Sequence, residues 1–87
     1  MVPFVMNIEQ GNQYYKITIS QKHEFFLIRH VDEIIGALKL QGNEGRLIAY
    51  GDLKATFPET VKSTDSKGPE LQTTIINQII GEIQNRI

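Results

Sequence analysis

Apolar positions along the chain change period three times, and each change marks a different element. From Phe4 to Ile19 they alternate with polar ones on both sides of Gly11-Asn12. A Gly-Asn pair between alternating segments is a signature of a tight hairpin, because glycine accepts positive φ without strain. Pairing Gln10 with Gln13 sets Ile8 opposite Tyr15, Met6 opposite Ile17 and Phe4 opposite Ile19 on one face. Glu9 with Tyr14, Asn7 with Lys16 and Val5 with Thr18 fall on the other. A slip of one residue would mix the faces, so the pattern predicts a hairpin over 4–20 with strands 4–10 and 13–20 in this register.

The next stretch, "HEFFLIRHVDEII" (23–35), fits a helical wheel. At 100° per residue Leu27, Ile28, Val31, Ile34, Ile35 and Leu38 fall within an arc of about 120°, the width of a core-facing stripe. This spacing predicts a helix over 26–41, ended by Gly42 in the turn "GNEG". Glu24 conflicts with the stripe, and Phe25 and Phe26 point away from it. The alternative at this end is that "EFFLIR" is a third strand that gives way to helix at about Val31.

"RLIAYGDLKATF" has Gly51-Asp52 at its centre and is read as a second hairpin over 46–57, pairing Tyr50 with Leu53, Ile48 with Ala55 and Arg46 with Phe57. In a competing reading "YGDLKATF" is a short helix, since Leu53 and Phe57 also stand one helical turn apart. "PETVKSTDSKGPE" supplies turn residues and no apolar period, predicting an exposed loop over 58–68. In "GPELQTTIINQIIGEIQNRI", Pro69 and Glu70 suit a first turn and Arg86 a last one, with Leu71, Ile75, Ile79 and Ile83 at every fourth position. A C-terminal helix over 69–87 follows. The pattern is ββαββα, an α+β single domain of 1–87 with an antiparallel sheet and both helices packed on one face.

Size adds one expectation. A chain of 87 residues buries only about 60–65% of its unfolded surface, so an uncovered apolar face is a natural place for a second subunit. The apolar arc of the last helix is wide, and Ile76, Ile80, Ile83 and Ile87 are candidates to meet another chain, as are Phe25 and Phe26. The equally economical reading makes them core.

Charge and chemistry narrow the function. Nine Lys and Arg against ten Asp and Glu give a net charge of -1, which disfavours an electrostatically driven nucleic-acid binder. A local row on the outer face of the first hairpin keeps that class as the alternative: Tyr14, Lys16 and Thr18, with Lys22 and His23 just beyond. Ordinary β propensity also explains such a row, and Glu9 stands opposite Tyr14. A helix-turn-helix at "YGDLKATFPETVKS" lacks the apolar period a recognition helix needs.

No cysteine is present, which removes disulfides, thiolate nucleophiles and Cys-ligated zinc. On the helical reading His23 and His30 lie about 10 Å apart along the axis, too far to share one zinc. His30, Glu33 and Asp32 are the only residues to nominate for acid–base work, and no nucleophile motif or phosphate loop stands beside them. No catalytic, cofactor or metal residues are therefore assigned. The N-terminus lacks the pattern of a signal peptide and no apolar run reaches about 18 residues, so a soluble, cytoplasmic chain is expected. The function expected is a small non-enzymatic protein-binding module, an adaptor, inhibitor or regulatory subunit, acting as a homodimer on a protein partner.

Overall fold

Gly11 opens the first of a series of two-residue turns that fold most of the chain into a five-stranded meander. In the computed structural model, which describes residues 1–42 and 44–87, the strands are β1 (Phe4–Gln10), β2 (Gln13–Lys22), β3 (Phe25–His30), β4 (Glu33–Gln41) and β5 (Glu44–Leu47). They pair antiparallel in chain order, β1-β2-β3-β4-β5. Helix α1 (Tyr50–Thr56), a 3-10 turn at Ser63–Asp65 and helix α2 (Thr73–Gln84) complete an α+β domain. The first hairpin has the register expected from alternation, from Phe4 with Ile19 through Gln10 with Gln13.

The expected helix over 26–41 is instead β3, a turn and β4. The apolar spacing that fits a wheel arises because the middle of this sheet is covered on both faces. Phe26 and Ile28 on β3 join Ile35 and Leu38 on β4 in the core beneath α2, with Ile8, Ile17, Ile19, Ile75, Ile79, Ile80 and Ile83. Leu27, Ile34 and Ala37 point the other way, into a second core closed by Leu53 and Phe57 of the α1 segment. Strands buried on both faces read as continuous apolar runs, and two such runs seven residues apart imitate the i, i+1, i+7, i+8 positions of a helix. A bulge sharpens the imitation: the register shifts between Ile28 and Arg29, so Ile28 meets Gly36, Arg29 meets Ile34, and Ile35 is the extra residue.

The turns that would have betrayed these strands carry no glycine. His23 and Val31 each occupy the first position of a two-residue turn with φ 57°, where the neighbouring turns place Gly11 (φ 63°) and Gly42 (φ 62°). The turn read over 42–45 includes Asn43, which lies outside the described residues. A β-branched residue in the left-handed region is strained. Val31 is 75% exposed, so it gains little packing there. Val31→Gly is therefore expected to stabilise the protein by about 1 kcal/mol, relief of about 1–3 kcal/mol of strain being partly offset by glycine's greater unfolded freedom. A thermal melt should show the midpoint rising by about 4–8 °C. A fall would mean that Val31 belongs to an apolar stripe after all.

Four further expectations are corrected. The second hairpin over 46–57 is replaced by β5 and α1: Gly51 is not in the left-handed region, and the Leu53 and Phe57 N–H groups donate to the carbonyls of Ala49 (2.9 Å) and Leu53 (2.7 Å). Leu53 and Phe57 at helical spacing cover Leu27, Ile34 and Ala37, which a flat hairpin would leave in water. The helices consequently lie on opposite faces of the sheet rather than on one. The loop over 58–68 is not simply exposed, because Thr60 is buried and forms a parallel bridge with Ile34, while the Val61 N–H donates to the Ile34 carbonyl at 2.8 Å. The last helix begins at Thr73; ahead of it Gly68 lies against His30 of β3 and Glu70 is bonded to the Gln10 amide of β1.

Candidate interaction surface at the free edge of β1

A meander has two edges, and this chain treats them differently. Beyond β5, which is only four residues long, the exposed side of β4 is sealed by its own chain: Ile48 N–H donates to Ala37 O at 2.9 Å and Val61 N–H to Ile34 O at 2.8 Å. At the other edge β1 runs seven residues with no strand beyond it among the described residues. In a two-residue hairpin the closing pair exchanges both backbone hydrogen bonds, and the pattern alternates from there. Gln10, Ile8, Met6 and Phe4 thus turn their backbone groups toward β2. Val5, Asn7 and Glu9 turn theirs outward.

Nothing in β1 defends those groups. Natural edges are blunted by lysine, internal proline, bulges or a covering segment. Between Phe4 and Gln10 there is no lysine, no proline and no register shift, and Glu9 is the single charge. The side chains of Val5, Asn7 and Glu9 are exposed on the outer face.

Alongside this edge lies a groove of about 350 Å³, lined by Met6 and Asn7 of β1 and by Asn77, Gln78, Gly81, Glu82 and Asn85 of the α2 segment. Both ends of the groove are held. At one end the Gln10 amide grips the backbone of Glu70, with Nε2 donating to Glu70 O (3.1 Å) and Oε1 accepting from Glu70 N–H (2.9 Å). At the other, the Arg86 guanidinium stacks 3.9 Å from the centre of the Phe4 ring and pairs with Glu82 at 2.6 Å. Helix α2 therefore runs antiparallel to β1, and a Cβ built on Gly81 would meet nothing within 4 Å. The groove has room for side chains of an added strand.

The residues singled out from the sequence fall into three groups. Phe26, Ile80 and Ile83 belong to the core of the chain itself; Phe25 and Ile76 are half-buried, Phe25 edge-to-face with Phe57 at 6.0 Å; and Ile87 is exposed at the end. Tyr14, Lys16 and Thr18 line the outer face beside Glu9, Asn7 and Val5, Tyr14 being 74% exposed. Lys22 sets its ammonium 5.3 Å from the Phe57 ring, and His23 occupies a turn. His30 and Glu33 close the β3–β4 turn, and the His30 ring packs edge-on against Tyr15 at 5.9 Å and under Gly68, which makes it a packing residue. The β1 edge escaped sequence reasoning because alternation reveals a hairpin but not which of its strands will border water.

A larger groove of about 530 Å³ separates the ends of β4 and β5 from α1. Lys39 and Arg46 stand on one cross-strand rung there, with Glu24 3.7 Å from Lys39 and Asp52 also lining the space. Two cations against two carboxylates balance, so this groove has shape without selecting one ligand charge. Among the described residues there is no cluster of three or more His, Asp or Glu placed to hold a metal ion, and no helix is long and apolar enough to cross a membrane. Comparison with known protein families, curated proteins and solved structures finds no match for this chain.

Proposed function

We propose that the chain is a small protein-binding module, an adaptor, inhibitor or regulatory subunit, that takes an extended segment of a partner as a sixth strand on β1. One observation supports it above the others: the fold seals the β4 edge with its own backbone and leaves β1 unpaired beside a groove. Strand addition draws affinity from main-chain hydrogen bonds and specificity from alternate side chains. Here the outward N–H and C=O groups of Val5, Asn7 and Glu9 supply the first. The α2 wall of Asn77, Gln78, Gly81 and Asn85 supplies the second, selecting small or hydrogen-bonding side chains on the groove side.

Panning a random peptide library on the wild-type chain and on Asn7→Pro tests this. The Asn7 N–H points away from β2, so proline there removes an outward donor while sparing the hairpin ladder. Selected peptides are expected to bind the wild type and to lose affinity about tenfold or more on Asn7→Pro, a penalty of about 1.4 kcal/mol. Equal binding to both rejects the reading, as does binding to neither by a chain that sediments as a monomer. Salt-sensitive retention on oligonucleotides would instead favour the outer face of Tyr14, Lys16 and Thr18, where Arg29 lies directly beside Thr18.

A further inference from the structure

Resting on the strand-addition reading, we infer that the segment which adds to β1 is β1 of a second copy, giving a two-fold homodimer with one continuous ten-stranded sheet. The outward backbone groups sit at Val5, Asn7 and Glu9, evenly spaced about Asn7. An antiparallel copy centred on Asn7 sets Asn7 opposite the partner's Asn7 and Val5 opposite the partner's Glu9, and all three outward residues on each strand find hydrogen-bonding mates. The single charge of the edge is thereby kept away from its own image. With a net charge of -1 the two copies also repel each other little at long range.

The α2 wall has the same centre. Gly81 lies across the groove from Met6 and Asn7, with Asn77 and Asn85 one turn to either side. Two α2 helices related by the axis at Asn7 run antiparallel and bring Gly81 toward its copy where no side chain intervenes. Asn77 of each then faces Asn85 of the other, amide toward amide. Glu82 is already matched within its own chain by Arg86, so the approach sets no unpaired carboxylate against another. Opposed like-with-like contacts of this kind suit a copy of the same chain better than an arbitrary peptide.

Engineered cysteines read the register directly, since the chain has none of its own. Paired residues on hydrogen-bonded antiparallel strands have Cα atoms about 5.5 Å apart, inside the range a disulfide spans. Under mild oxidation Asn7→Cys is expected to form a covalent dimer. Val5→Cys alone should not, but should cross-link when mixed with Glu9→Cys, and Val31→Cys at a distant turn serves as the background. Sedimentation equilibrium should show a dimer that dissociates on dilution, with Val5→Lys and Asn7→Pro each weakening it about tenfold or more while leaving the circular dichroism spectrum unchanged. A monomer at every concentration, or cross-linking of Asn7→Cys no faster than of Val31→Cys, overturns the homodimer. If the monomer nevertheless binds library peptides in a manner lost in Asn7→Pro, strand addition stands with another partner. If it binds none, both fall.

Discussion

Alanine substitutions at Leu27 and at Ile28 are expected to destabilise the protein by similar amounts, about 2–5 kcal/mol each. In a sheet with one covered face, adjacent residues differ sharply, because one is core and its neighbour is solvated. Here Leu27 packs on Ala37, Leu53 and Phe57 beneath α1 while Ile28 packs on Ile19, Ile35 and the isoleucines of α2, and both are fully buried. A domain of this size is stable by only about 4–13 kcal/mol, so either loss is a large fraction of the total. Urea denaturation should show midpoints lowered by about 1–3 M at little change of slope. If one variant were near neutral, one of the two cores would not exist.

That symmetry also explains what was legible. The register of the first hairpin could be read because its outer face is solvated, leaving strict alternation, and because glycine stands in its turn, although β2 runs on to Lys22, two residues past the expected end. Residues 25–41 gave β3 only as the alternative at "EFFLIR" and hid β4, since both cues fail together there: the strands are covered on both sides, and their turns use His23 and Val31 where glycine would have announced them. The short helix Tyr50–Thr56 was visible as the spacing of Leu53 and Phe57, but the choice between helix and hairpin depended on the outer face of β3 and β4 needing cover, a fact of tertiary structure. The candidate site depends on strand order, which local pattern does not encode. Its individual signs, the absence of lysine and proline in β1 and the four-residue spacing of Asn77, Gly81 and Asn85, acquire meaning only when β1 is known to be an edge.

Ile80→Glu is expected to cost the most, about 4 kcal/mol or more, and to leave the chain largely unfolded rather than merely unassociated. Ile80 is 8% exposed and lies against Gly45 of β5, where a Cβ would overlap its side chain, so the two backbones meet across a single isoleucine. A carboxylate placed there loses the apolar contact and is desolvated, two penalties that combine in one substitution. Ile76→Glu, half-buried on the neighbouring row, should cost about 1 kcal/mol, and Ile87→Glu at the exposed end should stay within about 0.5 kcal/mol. Far-UV circular dichroism and urea melts of the three variants distinguish a core from an interface. An interface formed by the apolar arc of α2 would give three folded proteins that differ in mass, and a core gives a graded loss of stability following burial. Folded, stable Ile80→Glu would move the association surface from the β1 edge back to this helix face, because the isoleucine row would then be available to a second chain.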